Sequence, residues 1–414
     1  MTEVIQLIGF DRIFDRKDYI MLRNINNWLK KERVLTISTA FALLTMIFVR
    51  PSTDYIEYID FRVLALLFSL MAVVAGISGQ GVFLLLSEKL FDKVKTVRGM
   101  CNILITACFL SSMWITNDVA IITFVPFAVL MLKQSGQEKY MIYVIIMQTI
   151  AANLGSMLTP VGNPQNLYLY SFYHLAEINF LMITIPLVLA SFILLNLINL
   201  FIKKEPVKLA AGPGIGESVN GQNPETVYNV MSMETDKVIC SGNRIHIAVY
   251  FSLFILCLLA VLHLVDYRIV LAVVILVIGA MDKQVLKKVD YSLLLTFISF
   301  FIFSGNLGNI KVVHQFISDM VISREAAAAI LLSQVISNVP AAVLLSNFTS
   351  DAGSLIVGTN LGGLGTIIAS LASLISFRIY LKTEKPRGLK FLGFFTAANV
   401  GMLSILVVIH YFVL

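Results

Sequence analysis

The chain has 414 residues, 58% hydrophobic and only 14% charged, with a net charge of +6 and a mean hydropathy of +0.85. An ordinary soluble domain carries about 25% charged residues, so the composition argues against a water-soluble enzyme or nucleic-acid binder. The expected surroundings are a lipid bilayer, with no nucleic-acid partner.

Residues 1–33 mix acidic and basic side chains with Ile5, Ile8, Phe14, Ile20 and Trp28. They lack the small-residue cleavage site of a signal peptide and suit an interfacial helix on the anionic cytoplasmic leaflet. Apolar segments then predict nine spans, near 34–49, 61–78, 141–172, 178–202, 247–265, 268–281, 290–308, 353–380 and 391–413. Two further segments, 99–133 and 324–349, read as re-entrant hairpins. Segments 80–96 and 309–322 suit amphipathic interfacial helices. Residues 203–246 are rich in Gly, Pro, Ser, Asn and charge and read as a cytoplasmic linker. The domain plan is therefore 1–33, a first transmembrane repeat over 34–202, the linker, and a second repeat over 247–414.

With this arrangement 26 of the 31 Lys and Arg residues fall on one side, leaving Arg50, Arg62, Arg268, Lys311 and Arg324 on the other. The positive-inside rule makes the crowded side cytoplasmic. The N-terminus is then inside and the C-terminus outside. A single crossing over 99–133 would destroy this asymmetry, which supports the hairpin reading.

The halves repeat. Asn153-Leu-Gly-Ser-Met-Leu-Thr159 reads against Asn360-Leu-Gly-Gly-Leu-Gly-Thr366 with four of seven positions identical. Ile59-Asp60-Phe61 resembles Val289-Asp290-Tyr291 230 positions later, and the runs that follow end in breaks at Gly76–Gly79 and Gly305–Gly308. The copies start on opposite sides, so they are inverted repeats. Matched interruptions in two halves point to a transporter's central site, because unwound backbone survives at membrane depth only inside protein or against a wet cavity.

The first hairpin turns at Trp114-Ile115-Thr116-Asn117-Asp118 and the second at Ser337-Asn338-Val339-Pro340. A carboxylate such as Asp118 within a membrane segment is by default functional. The first broken helix continues as Thr159-Pro-Val-Gly162-Asn163-Pro-Gln-Asn166, whose exposed carbonyls are hard oxygen ligands suited to Na⁺. The second, through Thr366-Ile-Ile-Ala-Ser370, lacks the prolines, so the two candidate cation sites are unequal. No Lys, Arg or His lies in the cores of these four elements. The cysteines Cys101, Cys108, Cys240 and Cys257 have no CxxC spacing and predict neither a disulfide framework nor a metal knuckle. No Ser/His dyad, carboxylate pair or His cluster supports an enzyme. Gly212-Pro-Gly-Ile-Gly216 follows no strand and carries no Lys-Ser/Thr, so no nucleotide cofactor is expected.

Thr116-Asn117-Asp118 with Pro126, followed by Asn153-Leu-Gly and Thr159-Pro-Val-Gly-Asn-Pro-Gln-Asn166, resembles the ion transporter superfamily. That group includes arsenite permeases, citrate transporters, one type of sodium/proton antiporter and the divalent-anion sodium symporters. The resemblance covers 34–413. It implies an all-α polytopic fold of two inverted repeats, an elevator mechanism and, from the symporters, a homodimer. It also carries the role of contacting substrate and Na⁺ onto Asn117 and Asn338. Asp118 and Val339 depart from the symporter triplet Ser-Asn-Thr, and an Asp after the Asn looks more like the arsenite and antiporter branches.

The expectation is a non-enzymatic secondary transporter of a small anion or oxyanion, coupled to Na⁺ or H⁺. An arsenite or antimonite efflux carrier, or a sodium/proton antiporter, is the alternative. A channel is disfavoured by the sealed hairpins. Expected substrate contacts are Thr116, Asn117, Asn153, Ser337, Asn338, Thr359 and Asn360. Expected coupling residues are Asp118, Thr159, Gly162, Asn163, Asn166 and Thr366, with Na⁺ held by Thr116, Asn117, Thr159 and Asn163.

Overall fold

Asp60 and Asp290 each accept a hydrogen bond from the backbone N–H three residues on, Val63 and Leu293 at 2.9 Å. Each caps a 19-residue apolar helix, as short acceptor side chains do where helical N–H groups lack partners. The computed structural model describes residues 33–53, 55–82, 94–207, 244–384 and 386–412. The first half holds α1 (Arg33–Met46), α2 (Phe61–Gly79), α3 (Val97–Ile115), α4 (Asn117–Gln134), α5 (Met141–Gly155), α6 (Pro164–Phe172) and α7 (Glu177–Asn199). The second holds α8 (Arg244–Val261), α9 (Tyr267–Met281), α10 (Tyr291–Asn309), α11 (Lys311–Val321), α12 (Glu325–Ile336), α13 (Asn338–Leu345), α14 (Ala352–Gly362), α15 (Leu371–Leu381) and α16 (Gly388–Phe412). Among the described residues there is no strand; Thr96 and Pro206 form one isolated bridge.

The chain is thus an all-helical, multi-pass membrane protein. Eight helices among the described residues are long and apolar enough to cross a bilayer. On α7 the stripe Ile178, Met182, Ile185, Leu189, Ile193 and Leu197 is exposed at helical spacing, an apolar face that only lipid or a partner would cover. Both arms of the first hairpin, α3 and α4, reach spanning length. They are nevertheless joined by one residue, Thr116, whose neighbour Asn117 donates its N–H to Gly162 O in the interruption of the first broken helix. The tip therefore sits at the level of that break. The second hairpin is shorter, with arms of 12 and 8 residues.

Two groups of helices result. The first packs α1 on α10 and α8 and α9 on α2; the second packs α3, α4, α7, α15 and α16 around α5 and α12, α13, α6 and α7 around α14 or one another. They meet where α10 touches α13 and α2 touches α6 and α4.

The runs end where the breaks are expected: α2 stops at Gly79 and α10 at Asn309, one residue past Gly308, with Gly76 and Gly305 still inside their helices. Those two glycines also admit an aromatic ring, since a Cβ on Gly76 would lie 2.2 Å from Tyr250 and one on Gly305 2.5 Å from Tyr58. The span expected near 247–265 ends at Val261, leaving His263 in a turn at positive φ. The amphipathic segment near 309–322 is α11, with Val312, Phe316 and Met320 exposed on one stripe. Its expected counterpart at 80–96 is largely, and the N-terminal segment and the linker almost wholly, outside the described residues, as is Cys240. The other cysteines are buried and unpaired.

Several of the loops that carry Lys and Arg are anchored by short polar contacts. Lys133 pairs with Glu384 at 2.7 Å, Lys139 with Glu205 at 3.1 Å, and Arg98 Nε donates to Ile202 O at 2.7 Å.

Candidate functional site

The breaks have a sequence origin. Asn163, with Pro164 as the first helical residue, caps α6 by accepting the Asn166 N–H at 2.9 Å. Proline there fixes φ and has no N–H to satisfy. Ser370, 207 positions later, caps α15 through the Ser373 N–H at 3.2 Å. The breaks then cross. Asn153 Nδ2 donates to Ser370 Oγ at 3.1 Å and Gly363 O at 3.3 Å. Its repeat partner Asn360 accepts from Asn163 Nδ2 at 3.0 Å and donates to Asn166 Oδ1 at 2.6 Å. Asn163 also donates to Ser156 Oγ at 3.1 Å.

Both hairpin tips reach this crossing in the same way. Asn117 N–H donates to Gly162 O at 3.1 Å, and Asn338 N–H to Ala369 O at 3.0 Å. Each Asn side chain accepts the next backbone N–H, Asp118 at 2.9 Å and Val339 at 3.0 Å. Asn117 Nδ2 adds a bond to Asn153 Oδ1 at 3.0 Å. Thr116 and Ser337 hold φ of 70° and 76° without being glycine, a conformation that costs about 1–3 kcal/mol and persists only where the surroundings enforce it.

The expected site residues divide accordingly. Asn117, Asn153, Gly162, Asn163, Asn166, Ser337, Asn338 and Asn360 come together, with Thr116 at the tip. Thr159 and Thr366 pin the hairpins from the side: Thr159 Oγ1 donates to Met113 O, and Thr366 Oγ1 to Gln334 O at 3.1 Å. Thr359 is not brought to the crossing, since its hydroxyl folds back on Leu355 O at 2.7 Å within α14. Asp118 opens α4, with its Oδ1 buried and unpartnered among the described residues. Of the four expected Na⁺ ligands, Asn163 has its side-chain oxygen occupied by its own cap. Among the described residues no three His, Cys, Asp or Glu side chains cluster.

Sequence reasoning missed several participants. Gln148 Nε2 donates to Leu104 O and Phe124 O, both at 3.2 Å, tying both arms of the first hairpin to α5. Gln334 grips the second broken helix. Ser112 and Ser333, 221 positions apart, face Gly155 and Gly362, where a Cβ would lie 2.6 and 2.5 Å from their hydroxyls. A glutamine inside an apolar run was the available signal, because an unpaired buried amide is costly.

Paired hairpin tips meeting paired broken helices inside an all-helical membrane bundle define a transporter of the inverted-repeat class. The chain belongs to the CitMHS citrate transporter family, whose profile matches residues 27–354. It is 30% identical to an uncharacterized transporter of Methanocaldococcus jannaschii over 347 residues, 84% of this chain and 88% of that protein. It is also 30% identical to the inner membrane protein YbiR of Escherichia coli over 324 residues, 78% and 80% of the two chains. A shorter match, 31% over 151 residues, covers 36% of this chain and 30% of the silicon efflux transporter of rice, Oryza sativa subsp. japonica.

Proposed function

We propose that the protein is a secondary active transporter that moves a small anion or oxyanion across the cytoplasmic membrane, coupled to Na⁺ or H⁺. The observation that carries this reading is the crossing itself, where Asn153, Asn163, Asn360 and Ser370 bond across the two breaks. Substrate would lie between the tips at Asn117 and Asn338, and the coupling ion beside the first break, near Thr116, Asn117, Thr159 and Gly162. Among the described residues the Asn338 Nδ2 is left for substrate, since only its Oδ1 is engaged by the next N–H.

The two helix groups fit an elevator motion, in which the hairpins and broken helices of the repeats 34–202 and 247–414 move against α1, α2, α8, α9 and α10. Helix α11 would serve as one connecting arm. The Lys- and Arg-rich loops would face the cytoplasm, with the N-terminus inside, and two copies would form a dimer as in the symporter relatives.

Asn117→Ala and Asn338→Ala are each expected to lower uptake at least about 100-fold while the protein still elutes as a folded species, as loss of positioning contacts does. The direct test is uptake of labelled citrate and succinate into liposomes with and without an inward Na⁺ gradient. Gradient-driven uptake supports a carboxylate symporter; none, in vesicles holding folded protein, excludes it.

A second reading is efflux of a neutral oxyacid such as arsenite in exchange for protons. It is favoured by a crossing lined by amides and hydroxyls, with Asp118 as the nearby ionisable group, and by the silicon efflux relative. Restored arsenite tolerance in a sensitive strain would support it.

A further inference from the structure

The two breaks are not equivalent in how their carbonyls are satisfied. In the second repeat, Gln334 Nε2 lies 3.1 Å from Ile330 O, 3.0 Å from Gly362 O and 2.9 Å from Leu364 O. A carboxamide nitrogen has two hydrogens, so three carbonyl oxygens converge on a group that can satisfy only two of them well. The opposite end of the amide is held as well, because Thr366 N–H donates to Gln334 Oε1 at 2.8 Å. Gly365, at φ of 112°, lets the amide approach: a Cβ there would lie 2.3 Å from Gln334 Oε1. Two carbonyls from the end of the broken helix, Gly362 O and Leu364 O, with Ile330 O of α12 beside them, surround one point of positive charge density much as carbonyls surround a small monovalent cation in transporters, its hydration shell replaced by carbonyl dipoles.

The first repeat differs at this position. Met113 stands 221 positions before Gln334, and the correspondence is structural, since Thr159 Oγ1 bonds Met113 O as Thr366 Oγ1 bonds Gln334 O. A thioether donates no hydrogen bond. There Asn166 Nδ2 lies 3.4 Å from Met157 O and 3.5 Å from Thr159 O, both longer than any of the three Gln334 contacts.

We infer that Gln334 is a tethered substitute for a cation: its amide nitrogen occupies the carbonyl cluster of the second repeat, leaving the first repeat as the one exchangeable cation position. This rests on the reading of the crossing as the transport site. It sets the stoichiometry at one coupling ion per cycle and identifies Gln334 as the residue that fixes it.

The test uses thermal stability of the purified full chain, which needs no knowledge of the substrate. Wild type, Gln334→Ala and Gln334→Leu are each melted in NaCl and in choline chloride at equal ionic strength. Removing the amide with Ala leaves three carbonyls and space for an ion. Gln334→Ala is therefore expected to melt lower than wild type in choline. It should regain about 3 °C more than wild type in Na⁺ at ten times the dissociation constant. Leu fills the space without satisfying the carbonyls and should gain no such response. Should Gln334→Ala not fold, Gln334→Ser carries the same expectation. Equal Na⁺ responses in wild type and the Ala or Ser variant would overturn the inference, as would an equal gain in the Leu variant. A wild type indifferent to Na⁺ beside a responsive Ala variant would support the inference while removing Na⁺ from the first repeat, so the two readings fail separately.

Discussion

Asn153 and Asn360, 207 positions apart, each bond to the half of the molecule to which the other belongs. Asn153 donates to Ser370 and Gly363; Asn360 joins Asn163 and Asn166. Both are buried, so removing either amide strands partners with no route to water. Each buried polar group left unsatisfied costs about 1–3 kcal/mol. Asn360→Leu strands Asn166 Oδ1 and one hydrogen of Asn163 Nδ2, whose other hydrogen keeps Ser156 Oγ, and is expected to destabilise the protein by about 2–4 kcal/mol on that basis. Asn360→Asp keeps the acceptor for Asn163 but sets a buried carboxylate oxygen against Asn166 Oδ1, so its cost should be at least that of Leu. Thermal unfolding in detergent reads both. A Leu variant as stable as wild type would mean the bridge holds nothing together.

Much of this crossing was legible because helix breakers and amides have no innocent reason to recur at matched depth in apolar segments. Asn153 against Asn360 and the two tips came from that logic, and Asp60 against Asp290 from the repeated triplets that hold them. The cross-links themselves were not legible, since nothing along the chain states that Asn163 meets Asn360 rather than its own hairpin. Gly76 and Gly305 carry a second role that the pattern does not show: each lies near the end of its helix, and only the packed ring of Tyr250 or Tyr58 reveals the contact it makes. Gln148 and Gln334 sit in otherwise regular helical arms with no turn residue beside them, so their roles emerge only when the carbonyls they serve belong to other helices.

The tips store strain that glycine would release. Thr116 and Ser337 hold positive φ with ψ of 148° and 156°, a region nearly confined to glycine. Thr116→Gly and Ser337→Gly are each expected to raise stability by about 1 kcal/mol while slowing transport, because the strained tip holds Asn117 or Asn338 in place. Chemical denaturation alongside uptake tests the pairing. A glycine variant that is less stable and fully active would remove strain from the account of the site.

Asp118 lies one residue past the first tip with one carboxylate oxygen buried and unpartnered, and a lone carboxylate in that position is suited to taking up a proton. Asp118→Asn fixes the neutral form. For a proton-coupled carrier the expected result is transport whose rate no longer varies between pH 5.5 and 8 and is no longer driven by a pH gradient, with the fold retained. An unchanged pH profile would assign proton coupling, if any, to another group.

Arg62 Nη1 lies 2.6 Å from His263 Nδ1, and its Nη2 donates to Ala260 O at 3.0 Å. The guanidinium can only donate, so Nδ1 accepts and the imidazole is neutral. Partial burial, with Arg62 and His174 nearby and Glu177 opposing them, lowers the His263 pKa from its usual 6.5. The unfolded chain then binds the proton first as pH falls, so native stability declines below about pH 6.5. The unfolding temperature of wild type is expected to drop between pH 7 and 5.5 more than that of His263→Gln, whose amide oxygen accepts from Arg62 at any pH. Parallel curves would show that the Arg62–His263 contact does not sense pH, and a steeper fall in the variant would reverse the sign assigned to it.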